Sequence, residues 1–122
     1  MRAKLYLSVT FDETDEDVIL RTYGNEFLLL CLKSSHQGKV TLSSVRDEIE
    51  FDDLGESILH YCRNLTMPDL HSLNGRVLAY LQVVPSSSEE SELRVYLEPE
   101  LLRMLGQRGF GLDIHQQLSD QN

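Results

Sequence analysis

The feature that most constrains this chain is the regular alternation of apolar and polar residues over positions 3–11. The apolar positions are Ala3, Leu5, Leu7, Val9 and Phe11. Successive side chains of a β-strand point to opposite sides, so a period of two predicts a strand with one buried face and one outward face. Such a strand needs neighbouring strands and an apolar layer packed on its buried face.

Two further strands are predicted after the charged residues 12–17 and the segment that follows them. Residues 27–33 are apolar on both alternating sets, which predicts a strand covered on both faces and therefore central in the sheet. Turn-forming residues occupy 34–38, and Val40 and Leu42 then resume the alternation. A hairpin is expected to join these strands.

The middle of the chain carries a helix pattern. Five residues share one helical face: Leu54, Ile58, Tyr61, Cys62 and Leu65. This spacing predicts a helix over about 54–64. Asp53 is placed to accept the first free amide hydrogens, and Glu56 is placed to reach back to it, as in a capping box.

The C-terminal part predicts a strand, a helix and a last strand. Residues 76–84 and 93–97 read as strands, separated by a polar loop that begins at Pro85. Pro99 suits the first position of a helix that ends at Gly106 or Gly109. Residues 110–114 alternate again.

These elements predict one α+β domain over residues 1–116, followed by a polar tail over 117–122. A chain of 122 residues with 41% hydrophobic residues can bury one core without disulfides or metal. We expect a largely antiparallel or mixed sheet with two helices packed on one face. Residues 18–23 fit either a helix or a strand.

Targeting and redox signals favour the cytoplasm. The first residues contain no continuous apolar segment of the kind found in a signal peptide, and the longest apolar run, 27–32, has six residues. Cys31 and Cys62 lie within apolar patterns and show no metal-binding spacing. Buried, reduced thiols are therefore expected.

Motifs for catalysis are missing from the sequence. It contains no G-x-S-x-G elbow and no phosphate-binding glycine loop, and its four histidines show no zinc-binding spacing. We therefore predict no catalytic residue, no cofactor and no metal.

Negative charge is the most unusual property of the chain. Twenty carboxylates against eleven lysines and arginines give a formal charge of −9, which disfavours nucleic acids and anionic membranes as partners. Sixteen of the twenty fall in three segments, 12–17, 47–56 and 89–100. They are either solvated loops and helix starts or one anionic surface for a partner rich in lysine and arginine. A calcium loop at 12–17 is a third possibility, although the glycine and final glutamate of an EF-hand are missing.

The second interpretation predicts a set of partner-binding residues. Tyr6 and Tyr96 fall opposite the apolar set of their predicted strands and could anchor an interface. The complete set is Asp12, Asp15, Asp17, Asp47, Glu48, Glu50, Asp52, Glu89, Glu90, Glu92, Tyr6 and Tyr96.

In size, clustered acids and α+β pattern, the chain resembles small acidic bacterial immunity proteins, including those of contact-dependent growth inhibition systems. Residues 93–102 and 111–114 also look like the closing strand, helix and strand of small bacterial domains. The resemblance implies a non-enzymatic protein that neutralises a cognate basic toxin domain, such as a nuclease, by covering its active site. These families share no general binding motif, so the resemblance assigns no residue.

Two other functions fit the same residues. A small enzyme or ligand-binding domain could combine carboxylates with His60 or His71, and this predicts a concave pocket. A subunit of a larger assembly, such as a homo-oligomer, would bury its tyrosine-bearing face against a neighbour.

Overall fold

The N-terminal strand organises the sheet. The computed structural model describes residues 1–11, 30, 32–65, 67–70, 77–87 and 95–118. The strands in these ranges are β1 (Arg2–Phe11), β2 (Leu32–His36), β3 (Lys39–Ser43), β4 (Asp47–Glu50), β5 (Val77–Ser87), β6 (Gly111–Ile114) and β7 (Gln117–Leu118). The helices there are α1 (Leu54–Arg63) and α2 (Pro99–Arg108).

Strand β1 is paired along both of its edges. On one side it runs antiparallel to β5 over its whole length, from Arg2 opposite Ser86 to Phe11 opposite Val77. On the other side it pairs antiparallel with β3 and then with β4. The path through the described strands is β2-β3-β1-β5-β6, and β6 and β7 run parallel to β5. The predicted α+β class with a mixed, largely antiparallel sheet is confirmed.

The core lies on one face of this sheet. The predicted apolar set of β1 is buried, together with Ala79, Leu81 and Val83 of β5. The apolar faces of α1 and α2 bury residues in the same cluster, so both helices pack on this face, as predicted.

The helix boundaries follow the signals in the sequence. Asp53 is the N-cap of α1, and its Oδ1 accepts the Glu56 amide hydrogen at 3.1 Å. Pro99 opens α2, and Gly109 follows its last residue with a φ of 82°, in the left-handed region where glycine is favoured. Of the two glycines considered, Gly109 is the one that ends the helix.

The predicted hairpin of β2 and β3 is confirmed. The central position predicted for residues 27–33 is wrong for those of its residues that the structure describes. Gln37 and Gly38 form a two-residue turn with φ values of 51° and 76°, the signs of a type I′ hairpin. Leu30 is buried in the core, whereas β2 is exposed and lies at the end of the strand path. The hairpin places β3 between β2 and β1, so β1 takes the central position. Residues 27–29, Cys31 and the segment 18–23 lie outside the described residues.

Strands β3 and β4 lie along the same edge of β1 and are separated by a bulge. Ser8 pairs with Ser43 and Leu5 pairs with Asp47. Two residues of β1 therefore face three residues, 44–46, on the opposite side. This extra residue is what defines a β-bulge, which bends the strand locally.

Three predictions near the C-terminus need correction. Residues 95–98 form no strand, because this segment packs across the first turn of α1. The loop does not begin at Pro85, since Pro85 is buried and pairs with Ala3 within β5. Pairing also reaches past residue 116, because β7 aligns with the end of β5.

Candidate functional site

A groove of about 790 Å³ lies between β4, the connection 51–53 and α1. The connection is short, so α1 begins directly beside the strand that precedes it. Residues of β4 that face the helices and residues on the polar side of α1 therefore face each other. The groove is the concave feature that these two elements form between them.

Carboxylates dominate the rim of the groove. Five acidic residues line it: Asp47, Glu50, Asp52, Asp53 and Glu56. Among the described residues that line the groove there is no lysine or arginine. The local field is therefore negative and favours a cationic occupant.

Apolar side chains form the floor of the same groove. Phe51 is buried, and Ile49, Tyr61 and Leu65 are half-buried. An occupant can therefore gain from apolar burial as well as from charge. This combination suits side chains with an aliphatic stem and a cationic end.

Strand alternation divides the acidic segment between the two faces of the sheet. Asp47 pairs with Leu5, so its side chain lies on the helix-covered face, whereas Glu48 pairs with Lys4 on the other face. The guanidinium of Arg2 lies on that other face, 3.7 Å from Glu48 Oε1 and 3.3 Å from Glu50 Oε1. Part of the predicted charge is thus compensated locally: Glu50 lines the groove, but its carboxylate stands with Arg2 on the other face.

Tyr61 links the groove to the bulge. Burial raises the pKa of its hydroxyl, and the negative charge of Asp47 raises it further. A hydrogen bond with the Ser44 side chain acts in the opposite direction and is outweighed. The Tyr61 hydroxyl therefore stays protonated at neutral pH and contributes a neutral polar group to the groove.

His60 and Asn64 occupy the exposed wall of the groove on α1. The Asn64 side-chain amide donates a hydrogen bond to the His60 carbonyl oxygen at 2.9 Å, and its nitrogen lies 3.3 Å from His60 Nε2. His60 and carboxylates thus line the same groove. His71 lies outside the described ranges.

The two tyrosines predicted as anchors occupy different surroundings. Tyr6 is half-buried on the sheet face opposite the helices, with the Arg46 guanidinium 4.9 Å from the centre of its ring. Tyr96 is 72% exposed, and its main chain runs against Gly55 at the start of α1. Tyr96 therefore lies beside the start of α1, whereas Tyr6 lies on the other face of the sheet.

The structure describes only part of the predicted acidic surface. It places Asp47, Glu50 and Asp52 at the groove and Glu48 on the opposite face. The remaining predicted acids lie outside the described residues: Asp12, Asp15, Asp17, Glu89, Glu90 and Glu92. That the three acidic segments meet in space stays a prediction.

Some groove residues were absent from the predicted site, although a signal for them exists in the sequence. Asp53, Glu56, His60 and Asn64 follow one another at intervals of three or four residues. This spacing defines the polar face of α1, opposite the apolar face that predicted the helix. Reading both faces together would have placed these residues in one row.

In the ranges that the structure describes, no group of three or more histidine, cysteine or carboxylate side chains could hold a metal ion. No helix in those ranges is both long and apolar enough to cross a membrane. Comparisons with protein-family models, with curated proteins and with solved structures found no match to this chain.

Proposed function

We propose that this chain is a non-enzymatic binding protein whose acidic groove takes a lysine- and arginine-rich segment of a partner protein. One observation carries the proposal: five acidic residues line a single groove with an apolar floor, of which only Glu50 turns its carboxylate to Arg2 on the other face of the sheet, and no described lining residue is a lysine or arginine. The finer proposal, which follows the resemblance to immunity proteins, is that the partner is a basic toxin domain neutralised in the cytoplasm.

Electrostatics would determine how fast and how selectively such a partner binds. The formal charge of −9 attracts cationic surfaces over distances of about one Debye length, roughly 8 Å at physiological ionic strength. Charges at the rim mainly raise the association rate, while burial of apolar side chains slows dissociation. The groove has both features, because carboxylates line it together with the apolar side chains of Ile49 and Phe51.

Neutralisation requires only that the chain cover the partner's active surface. A nuclease must attract phosphates, so its substrate surface is rich in lysine and arginine. An acidic protein seated on that surface blocks it both sterically and electrostatically. Cys62 is a buried free thiol, which is consistent with a reducing compartment.

A second candidate function is binding of a small cationic molecule, with or without turnover. The observation that favours it is concavity, since about 790 Å³ lies within the range of small-molecule sites. His60 also lines the groove together with Glu56, and imidazole and carboxylate groups are the types of side chain suited to proton transfer. Stabilisation of the chain in a thermal melt by a small cationic compound, and not by a basic protein, would favour this candidate.

The experiment that tests the main proposal compares two charge reversals. A tagged chain is used to isolate its partner from the source cell, and the association rate is then measured over a range of salt concentrations. Glu56→Lys places a cation in the groove, whereas Asp113→Lys makes the same charge change on β6, away from the groove. We expect the groove variant to associate about tenfold more slowly at low salt, with the difference shrinking as salt is added.

Equal rates for the two variants, or rates that ignore salt in the unmodified chain, would contradict the proposal. Circular dichroism spectra of both variants establish that the fold is retained. Asp113→Lys, at an exposed position, is expected to change stability by no more than about 0.5 kcal/mol, whereas Glu56→Lys puts a cation in the first turn of α1 and is expected to cost about 1 kcal/mol.

A further inference from the structure

One edge of β4 carries no strand in the described part of the chain. Strand β1 pairs with β4 on one side. On the other side, the hairpin strand β2 pairs only with β3, and Leu32 opposite Ser43 is the last aligned pair. The sheet therefore narrows by one strand at the bulge, and the groove opens at this step.

The direction of the main-chain groups of β4 follows from one hydrogen bond. The Phe51 amide donates to the Met1 carbonyl oxygen at 3.0 Å, so position 51 turns its main-chain groups toward β1. In an antiparallel pair every second residue is bonded to the same neighbour. Positions 47 and 49 therefore also face β1, and the amide and carbonyl groups of Glu48 and Glu50 point to the open edge.

This edge borders the acidic groove. Asp47 and Ile49 of β4 line the groove on the helix side, and the side chains of Glu48 and Glu50 stand beside Arg2 on the other side. A segment lying along β4 would send alternate side chains to these two sides. Carboxylates lie on both of them, so lysine or arginine could be matched on either.

We propose that the partner binds by strand addition, with an extended segment bearing alternating lysine or arginine residues pairing with the open edge of β4. This inference rests on the proposed function and specifies how the partner is held. Main-chain hydrogen bonds would provide affinity, and side-chain charges would provide selectivity.

Charge also argues against a second copy of this chain as the occupant. In a pairing of two β4 strands, the glutamates of one copy would stand beside those of the other, and like charges across a strand pair destabilise it. Charged residues on an edge strand discourage self-pairing in this way. The same carboxylates favour a basic strand.

The test uses two synthetic peptides of seven residues that alternate lysine and valine. One has ordinary amides, and the other is N-methylated at every internal amide, which keeps its charge, removes its N–H donors and adds bulk that blocks strand pairing. Binding is followed by fluorescence anisotropy, and hydrogen exchange of the chain's own amides is followed by NMR. We expect the ordinary peptide to bind at least about tenfold more tightly and to protect the amides of Glu48 and Glu50.

Two variants localise the effect. Glu50→Lys should weaken binding of the ordinary peptide about tenfold, whereas Asp113→Lys on β6 makes the same charge change away from β4 and should leave it nearly unchanged. Retained amide protection in β1 and β5 of each variant establishes that the sheet is intact.

Each alternative outcome overturns strand addition at β4. Equal affinity for the two peptides shows binding by charge alone, and protection of β6 amides instead shows addition at the far edge. Failure of both peptides to bind also counts against the inference, whereas the proposed function is judged separately, by the salt dependence and the Glu56→Lys variant.

Discussion

Ser44 hydrogen-bonds to Leu7 through both its main-chain amide and its side-chain hydroxyl. The Ser44 amide donates to the Leu7 carbonyl oxygen at 3.0 Å, and the Leu7 amide donates to the Ser44 hydroxyl oxygen at 2.8 Å. A side-chain oxygen thus takes the place of a main-chain carbonyl at the bulge. Both residues are buried, so water is not at hand to replace this bond.

We expect Ser44→Ala to destabilise the fold by about 1–3 kcal/mol, because the buried Leu7 amide would lose its acceptor. Urea unfolding followed by circular dichroism measures the change. Ser34→Ala, at an exposed position of β2, is the matched control and should change stability by less than about 0.5 kcal/mol. Equal effects of the two substitutions would contradict the role assigned to the Ser44 hydroxyl.

Glycine substitutions in the two helices should act in opposite directions. A Cβ at Gly55 would lie 1.9 Å from the Tyr96 carbonyl oxygen, so Gly55→Ala forces α1 and residues 95–98 apart. We expect a loss of about 1–3 kcal/mol, as for other overpacked sites. At Gly106 no atom lies within 4 Å of such a Cβ, so Gly106→Ala should stabilise the fold by up to about 1 kcal/mol.

Thermal melts of these two variants provide the measurement. The midpoint should fall for Gly55→Ala and rise for Gly106→Ala, although the chemical change is identical. Should both midpoints rise, the close approach of the Tyr96 main chain to α1 would be wrong.

The ion pair between α1 and α2 should make the effect of Glu100→Gln depend on pH. Arg63 Nε donates to Glu100 Oε1 at 3.0 Å, and Nη2 contacts Oε2. The hydrogen bond from Arg63 lowers the pKa of Glu100. Because the folded pKa lies below the unfolded one, the stabilisation is present above the unfolded pKa and is lost as pH falls through the folded pKa.

We therefore expect Glu100→Gln to lower the melting temperature slightly at pH 7 and to have no effect once the glutamate is protonated. Both side chains are about half exposed, so added salt should also reduce the difference at pH 7. A double-mutant cycle with Arg63→Gln isolates the pair. A difference that persists at acid pH would point to packing instead of charge.

Cys62 should react slowly with alkylating reagents in the folded state. The residue is 1% exposed, and burial raises the pKa of its thiol to about 11. The thiolate is the reactive form, so at pH 8 both its population and its access are low. We expect alkylation by iodoacetamide to be at least about a hundredfold slower in buffer than in concentrated urea.

Mass spectrometry of the peptide containing Cys62 measures this rate separately from that of Cys31. If Cys62 reacted equally fast with and without urea, it could not be part of the core. A rate that increased with pH in the folded state would agree with the raised pKa.

The elements predicted from local signals were found where those signals are strongest. Alternation predicted β1, and the cap at Asp53 predicted the start of α1 to the residue. Local signals could not indicate which segments pair with each other in the sheet. Val95 and Leu97 are half-buried and Tyr96 is exposed, as an alternating strand would be, yet this segment packs against a helix. The alternation of apolar and polar residues indicates which side chains are buried. Whether the segment also hydrogen-bonds as a strand depends on whether another strand lies beside it.

The groove was less predictable than the fold for a related reason. Composition showed that residues 47–56 are acidic, but only the bulge and the position of α1 determine which carboxylates face one another. Glu48 and Asp47 are neighbours in sequence and lie on opposite faces of the sheet. Charge counts predict a negative molecule, whereas the direction of each side chain determines where a cation could bind.

The pairing of β1 with β5 has a consequence during synthesis. Arg2 aligns with Ser86, so β1 leaves the ribosome well before its partner strand, whose end is made more than eighty residues later. Contacts this distant in sequence form late and slow the overall reaction. Until then one edge of β1 has no strand beside it, and such unpaired strand edges make an unfinished chain prone to aggregate.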